Sequence, residues 1–138
     1  LIACGSLVYQ AMLAAKELLG DGIHARVLNM HTIKPLDEEV VIAAARETGA
    51  IVTIEEHQIA GGLGSAVTEV LARTTPTPQE FVGMQDRFGE SGQPDELLEH
   101  FHLRAKDIVT AAMKVFKRKA VLKRQSKSPT TKRTKKKA

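Results

Sequence analysis

The residues with the most chemistry in them lie together. Glu55, Glu56 and His57 end a β-branched run that begins at Ile51, and Gly61, Gly62, Gly64 and Ser65 follow in a bend that opens an apolar-periodic segment. Ionisable groups where a strand delivers the chain to a helix start mark the place where α/β proteins keep their sites. A carboxylate beside an imidazole is a candidate general-base unit, with His57 the one catalytic candidate of this chain. Successive strand residues point to opposite faces, so at most one of Glu56 and His57 serves a given pocket, and the other reading of His57 is an interface hydrogen bond. The glycines permit a tight turn and close backbone approach, and the helix start behind them offers free N–H groups to an anion. That attraction amounts to about 0.3–1 kcal/mol at an exposed terminus, enough to orient a carboxylate or phosphate and too little to hold a cofactor. Neither G-x-x-x-x-G-K-[ST] nor G-x-G-x-x-G is present, so a turn that packs a helix closely on a sheet is the competing reading.

Other candidates are thinner. Arg87 stands in the glycine-bearing loop Met84–Gln93, where it either grips a phosphate or closes a local cluster with Asp86 and Glu90. His100 and His102 have no acid or cysteine at ligand spacing, which argues against a metal site, and His24 and His31 flank a strand as solvated or interfacial groups. Cys4 is the one cysteine, so no internal disulfide forms; its apolar surroundings predict a buried thiol and a reducing, cytoplasmic setting.

The elements that position these residues read out in order. Leu1–Cys4 is a short strand, Ser6 caps a helix to about Leu19, and Arg26–Met30 is the next strand. Asp37 caps a helix from Glu38 to Thr48, which Gly49 ends. Strand Ile51–Ile54 leads into a helix from Gly62 to about Arg73, and Gln79–Gly83 forms a fourth strand. Pro94 opens a short helix to about His100, and a last helix runs from about Ala105 to Lys119. The alternation predicts a three-layer α/β/α sandwich around a mostly parallel sheet of about five strands, occupying residues 1–118. With 43% hydrophobic residues but only 4% aromatics, the core must be built of Val, Ile, Leu and Ala, as parallel sheets are. No apolar run approaches a membrane span.

The net charge of +4 conceals a division. Residues 117–138 hold 11 Lys or Arg and no acid, which leaves 9 bases against 16 acids in the rest. From Lys119 onward the composition predicts a disordered tail that attracts nucleic acid weakly, through counterion release, without sequence choice.

Glu55-Glu56-His57-Gln58-Ile59-Ala60-Gly61-Gly62-Leu63-Gly64-Ser65-Ala66-Val67, followed by Ser91-Gly92-Gln93-Pro94-Asp95-Glu96-Leu97-Leu98, resembles the C-terminal domain of transketolase, and Asn29–Asp37 is similar to a third stretch of that family. The resemblance covers Leu1 to about Lys117. 1-Deoxyxylulose-5-phosphate synthase and the beta-subunits of 2-oxoacid dehydrogenases share the glycine bend and remain alternatives. The resemblance implies a five-stranded mixed α/β/α fold and, for the whole enzyme, transfer of two-carbon ketol units between sugar phosphates. It also implies that thiamine diphosphate and Mg are held by diphosphate- and pyrimidine-binding domains upstream of this chain, or on a separate subunit, in a homodimer or heterotetramer. The chain is then expected to be a fragment, inactive alone, that completes the dimer and supports the active site. A stand-alone basic module binding polyanions is the reading from another class.

Overall fold

The computed structural model describes residues 1–127, with side chains described through residue 125. Its elements are β1 (Ile2–Ala3), α1 (Leu7–Gly20), β2 (Leu28–Asn29), α2 (Glu38–Thr48), β3 (Ile51–Gln58), α3 (Leu63–Thr74), β4 (Gln79–Met84), α4 (Pro94–His100) and α5 (Ala105–Lys127). The sheet order is β2-β1-β3-β4 and every pairing is parallel. Four strands are present among the described residues, where about five were expected, and none of them is antiparallel.

Two apolar layers flank the sheet. Ala3, Val52, Ile54 and Val82 meet α1 and α5 on one side through Leu7, Ala14, Leu18, Ile108 and Val115. Ile2 and Ile51 meet α2 and α3 on the other through Val41, Ala44, Leu63, Val67 and Val70. Strand alternation divides the two cores, since neighbours such as Ile2 and Ala3 face opposite ways.

Local signals set several boundaries. Asp37 accepts the N–H of Val40 at 3.1 Å, and Gly49, at φ 63°, ends α2 in the left-handed region where a side chain would be strained. Other ends differ from expectation. Ser6 stands at the N-cap position of α1 but makes no side-chain capping bond: its backbone dihedrals are helical, and its hydroxyl turns to Glu56. Strands β1 and β2 keep only two residues each in the ladder, whereas β3 runs on through His57 to Gln58. A register shift between Ile54 and Gln58 lets it do so, restoring pairing at Gln58 with Met84.

The largest revision concerns the basic C-terminus. Helix α5 passes the expected boundary at residue 118 and continues to Lys127, so residues 119–127 are helical, not disordered. Lys, Arg, Ala, Leu and Gln are good helix formers, and extending a helix already nucleated by packing fixes one residue per added bond, with no further core required. The stem is pinned where it leaves the body: Arg118 donates to the Gln79 carbonyl and to Glu80, and Lys119 donates to the Thr48 carbonyl at 2.6 Å. The expectation for residues 128–138 lies outside the described residues. No described helix is long and apolar enough to cross a membrane.

Candidate functional site

The carboxyl ends of β1 and β3 lie side by side at the point where the strand order reverses, the crevice in which open α/β sheets bind ligands. Alternation along β3 sends its acids apart. Glu55, 1% exposed, turns to the α3 side, and there its two carboxylate oxygens accept the N–H groups of Leu63 at 2.7 Å and Gly64 at 2.8 Å. Glu56 turns to the α1 side and accepts the Ser6 hydroxyl at 2.5 Å, which bridges the crevice between β1 and β3. His57 is exposed beside them.

The glycine bend is built around Glu55. A Cβ on Gly62 would stand 2.0 Å from Glu55 Oε2 and 2.5 Å from the Gln58 carbonyl oxygen, and one on Gly64 would meet Phe81 at 2.7 Å. Gly61 takes φ 81° to turn the chain, and its N–H donates to Ser65 Oγ at 2.8 Å, while Ser65 donates to the Ile59 carbonyl at 3.0 Å. The Gly62 N–H is bonded to Ile59 as well. The first amides of α3, on which an outside anion would depend, are therefore bonded within the chain. The anion at this helix start is the protein's own Glu55, a residue that adjacency to Glu56 and His57 obscured in the sequence. Its signal was an acid on the same strand face as Thr53, ahead of glycines at a helix start.

Gln58, which the sequence reading did not single out, organises the Arg87 loop. Its side-chain amide donates to the Arg87 carbonyl at 2.9 Å and accepts the Asp86 N–H at 2.8 Å, holding Asp86 at φ 51°. The expected Asp86–Arg87–Glu90 cluster does not close this loop: Glu90 pairs with His100 at 3.1 Å instead. Arg87 lines a groove of about 310 Å³ between β4 and α5, together with Glu80, His102, Asp107 and Lys114. His102 does find an acid, Asp107, at 3.7 Å, but no three His, Cys, Asp or Glu residues converge as metal ligands among the described residues. Cys4 is half-buried, and burial, then the charges of Glu55 and Glu56, push its thiol above the usual range, so it stays protonated at neutral pH.

This arrangement can present hydrogen-bonding groups along one edge, from Ser6 and Glu56 through His57 to Arg87. Within it the Ser6 hydroxyl is held on the Glu56 carboxylate, and among the described residues no third side chain is hydrogen-bonded to that pair.

Residues 1–108 match the family model described as transketolase, C-terminal domain. Over 119 residues the chain is 52% identical to the 6-deoxy-6-sulfo-D-fructose transketolase subunit of Clostridium sp. (strain MSTE9), covering 86% of this chain and 37% of that protein. It is 44% identical over 100 residues to 1-deoxy-D-xylulose-5-phosphate synthase of Heliobacterium modesticaldum, covering 72% of this chain and 14% of that enzyme. A solved split gene transketolase, described as an inactive beta4 tetramer, superposes with a TM-score of 0.80 at 49% identity, over 83% of this chain and 37% of that one. The chain thus spans well under half the length of these relatives. With the fold, the order of the motifs and the identity agreeing, the chain belongs to the transketolase C-terminal domain family.

Proposed function

We propose that this chain acts as the C-terminal section of a thiamine diphosphate-dependent transketolase, a cytoplasmic enzyme moving two-carbon ketol units between sugar phosphates, and that it positions the active site without supplying reacting atoms. The supporting observation is the Glu55 carboxylate on the first amides of α3. A diphosphate brought to that helix start would meet a buried carboxylate and amides already bonded, and a magnesium ion would find no convergent set of three side-chain ligands among the described residues. The residues present do not fit the cofactor, which belongs on the upstream domains or subunit.

In this reading the sheet's carboxyl edge is the contact surface. Glu56, His57, Gly61, Ser65 and Arg87 meet the upstream polypeptide, while Glu55, Gly62 and Gly64 hold the edge rigid from beneath. Rigid support of this kind contributes to catalysis through orientation alone. Identity to the 1-deoxy-D-xylulose-5-phosphate synthase keeps that reaction as the second reading. From the relative that assembles as a beta4 tetramer we also take it that copies of this chain associate with one another.

Reconstitution tests the proposal. The chain is mixed with the upstream polypeptide of a split transketolase, thiamine diphosphate and magnesium, and assayed with a ketose phosphate donor and an aldose phosphate acceptor, or with pyruvate and glyceraldehyde 3-phosphate for the synthase. Activity is expected only in the mixture, and the His57→Ala variant is expected to raise the concentration of chain needed for half-activity by about tenfold, with kcat at saturation retained. Turnover by the chain alone would overturn the division of labour. A kcat lost at saturation in His57→Ala would make His57 catalytic.

A further inference from the structure

Helix α5 outruns the core that holds it. Ile108, Ala112 and Val115 are buried, whereas every residue from Ala120 to Gln125 is exposed. The charge on this stem has one sign. Residues 117–125 hold Lys117, Arg118, Lys119, Lys123 and Arg124 with no acid, and the sequence adds six more Lys or Arg by residue 138. Like charges four apart on a helix repel, as Lys119 and Lys123 do, so the helicity of the stem is supplied by the packed part of α5 and opposed by its own cations. A helix in that state is stabilised by whatever neutralises it. The residues matched by the family model end at 108, so the stem is no part of what places the chain in its family.

We infer that residues 117–125 of α5 form a binding stem for double-helical nucleic acid, held along its phosphates without choice of sequence. Three features select this partner. The cations are ordered before binding: Lys117 and Arg124, seven residues apart, differ by about 20° around the helix axis and stand about 10 Å apart along it, so one rod presents both to one surface. A duplex offers them one negative charge per about 1.7 Å of axis, twice the linear density of a single strand. Stacking on unpaired bases is not open to the stem, because no aromatic residue follows Phe116, and Phe116 itself lies under the Lys119 ammonium at 5.8 Å. Insertion into a lipid surface is disfavoured as well. Val121 and Leu122 are the only large apolar residues after Phe116, they point about 100° apart, and Gln125 falls between them, whereas a membrane-surface helix needs a continuous apolar face. Arg118 and Lys119 already anchor the stem to the body, so the residues that test it are Lys117 and Arg124.

The test is binding of the full chain to a short labelled DNA duplex of mixed sequence, read by fluorescence anisotropy over a salt series. The logarithm of the binding constant is expected to fall linearly with the logarithm of salt concentration, with a slope of about −4 or steeper, the counterion release of about five phosphate contacts. Lys117→Glu combined with Arg124→Glu is expected to weaken binding by at least about tenfold at low salt and to make the slope shallower by about two. Lys16→Glu combined with Lys34→Glu makes the same change in net charge at exposed positions of the body, and should alter binding by less than about threefold, because screening confines the effect to nearby charges. Circular dichroism is expected to be unchanged in both variants. Neither pair lies on the proposed contact edge, so ketol transfer in reconstitution should persist, and the two conclusions fail separately. No binding to the duplex at low salt overturns the inference. So does a stem variant that binds like the wild type, since the contacts then lie beyond the stem, and so does a body variant weakened as much as the stem variant, since net charge alone then accounts for binding. A single strand of the same length, or phosphatidylserine vesicles at the same phosphate concentration, bound more tightly than the duplex would also overturn it.

Discussion

Glu55 and Glu80 stand on neighbouring strands of one sheet, and both carboxylates are largely withdrawn from water, at 1% and 9% exposure. Their partners differ in kind. Glu55 is held by two backbone N–H groups at the start of α3, donors whose positions are fixed by the chain's own covalent geometry. Glu80 is held by Lys114 at 2.7 Å and Arg118 at 2.5 Å, long side chains from α5 that remain half or more exposed. The first solution needs Gly62 and Gly64, because backbone can approach a carboxylate so closely only where no Cβ intervenes. The second tolerates its neighbours but depends on charge, and so on pH and salt. The rigid arrangement lies beneath the proposed contact edge, and the adjustable one fastens a helix to the body.

Four changes test this contrast. The largest effect is expected from Gly62→Ala: the new methyl would overlap Glu55 and the Gln58 carbonyl, and the variant should lose about 3 kcal/mol, read from the urea midpoint. Glu55→Gln keeps the volume but turns a donor towards a donor, leaving one buried N–H unpaired. It should lose about 2 kcal/mol, with little dependence on salt, and a salt-sensitive loss would place the two carboxylates in the same class.

Glu80→Gln should cost no more than about 1 kcal/mol at neutral pH, since its cationic partners are largely solvated. Burial opposes ionisation of Glu80, but the hydrogen bonds and charges of Lys114 and Arg118 outweigh it and hold its carboxyl below the usual range. A carboxyl whose folded pKa is depressed contributes stability above its unfolded value, about 4.3, and loses it as pH falls through the folded value. The difference between wild type and Glu80→Gln should therefore shrink as the solution is acidified below about pH 4, and shrink also in high salt, in denaturation series at each condition. The smallest effect belongs to Glu38→Gln, which removes a 2.7 Å pair to Arg73 exposed on both sides, and should change stability by less than about 0.5 kcal/mol. A larger change would mean that surface charge matters more to this domain than the contrast allows.

Legibility followed the range of the interactions. Helix α2 was readable to its ends, Glu38 and Thr48, because Asp37 and Gly49 act within one turn of the backbone they terminate. Ser6 has the same capping chemistry and was misread, because Glu56, distant in sequence, offers its hydroxyl a charged acceptor. The extent of β3 was also beyond local reading: residues 55–58 are strand because β4 lies alongside. The helicity of residues 119–127 needed the anchors at Glu80, Gln79 and Thr48. At the proposed contact edge, Glu56, His57 and Arg87 were singled out in the sequence by type and position. Glu55 and Gln58, which hold the bend and the loop in place, have partners that come together only on folding.

The sequence by itself determined the alternation of strands and helices, the Val, Ile, Leu and Ala core and the glycine bend, since hydrophobic period and glycine's missing Cβ act between near neighbours. Tertiary structure alone decided which acid fills the start of α3 and how far β3 and α5 extend. Each of these depends on groups far apart in the chain, whose approach depends on the strand order and on the packing of helices across the sheet.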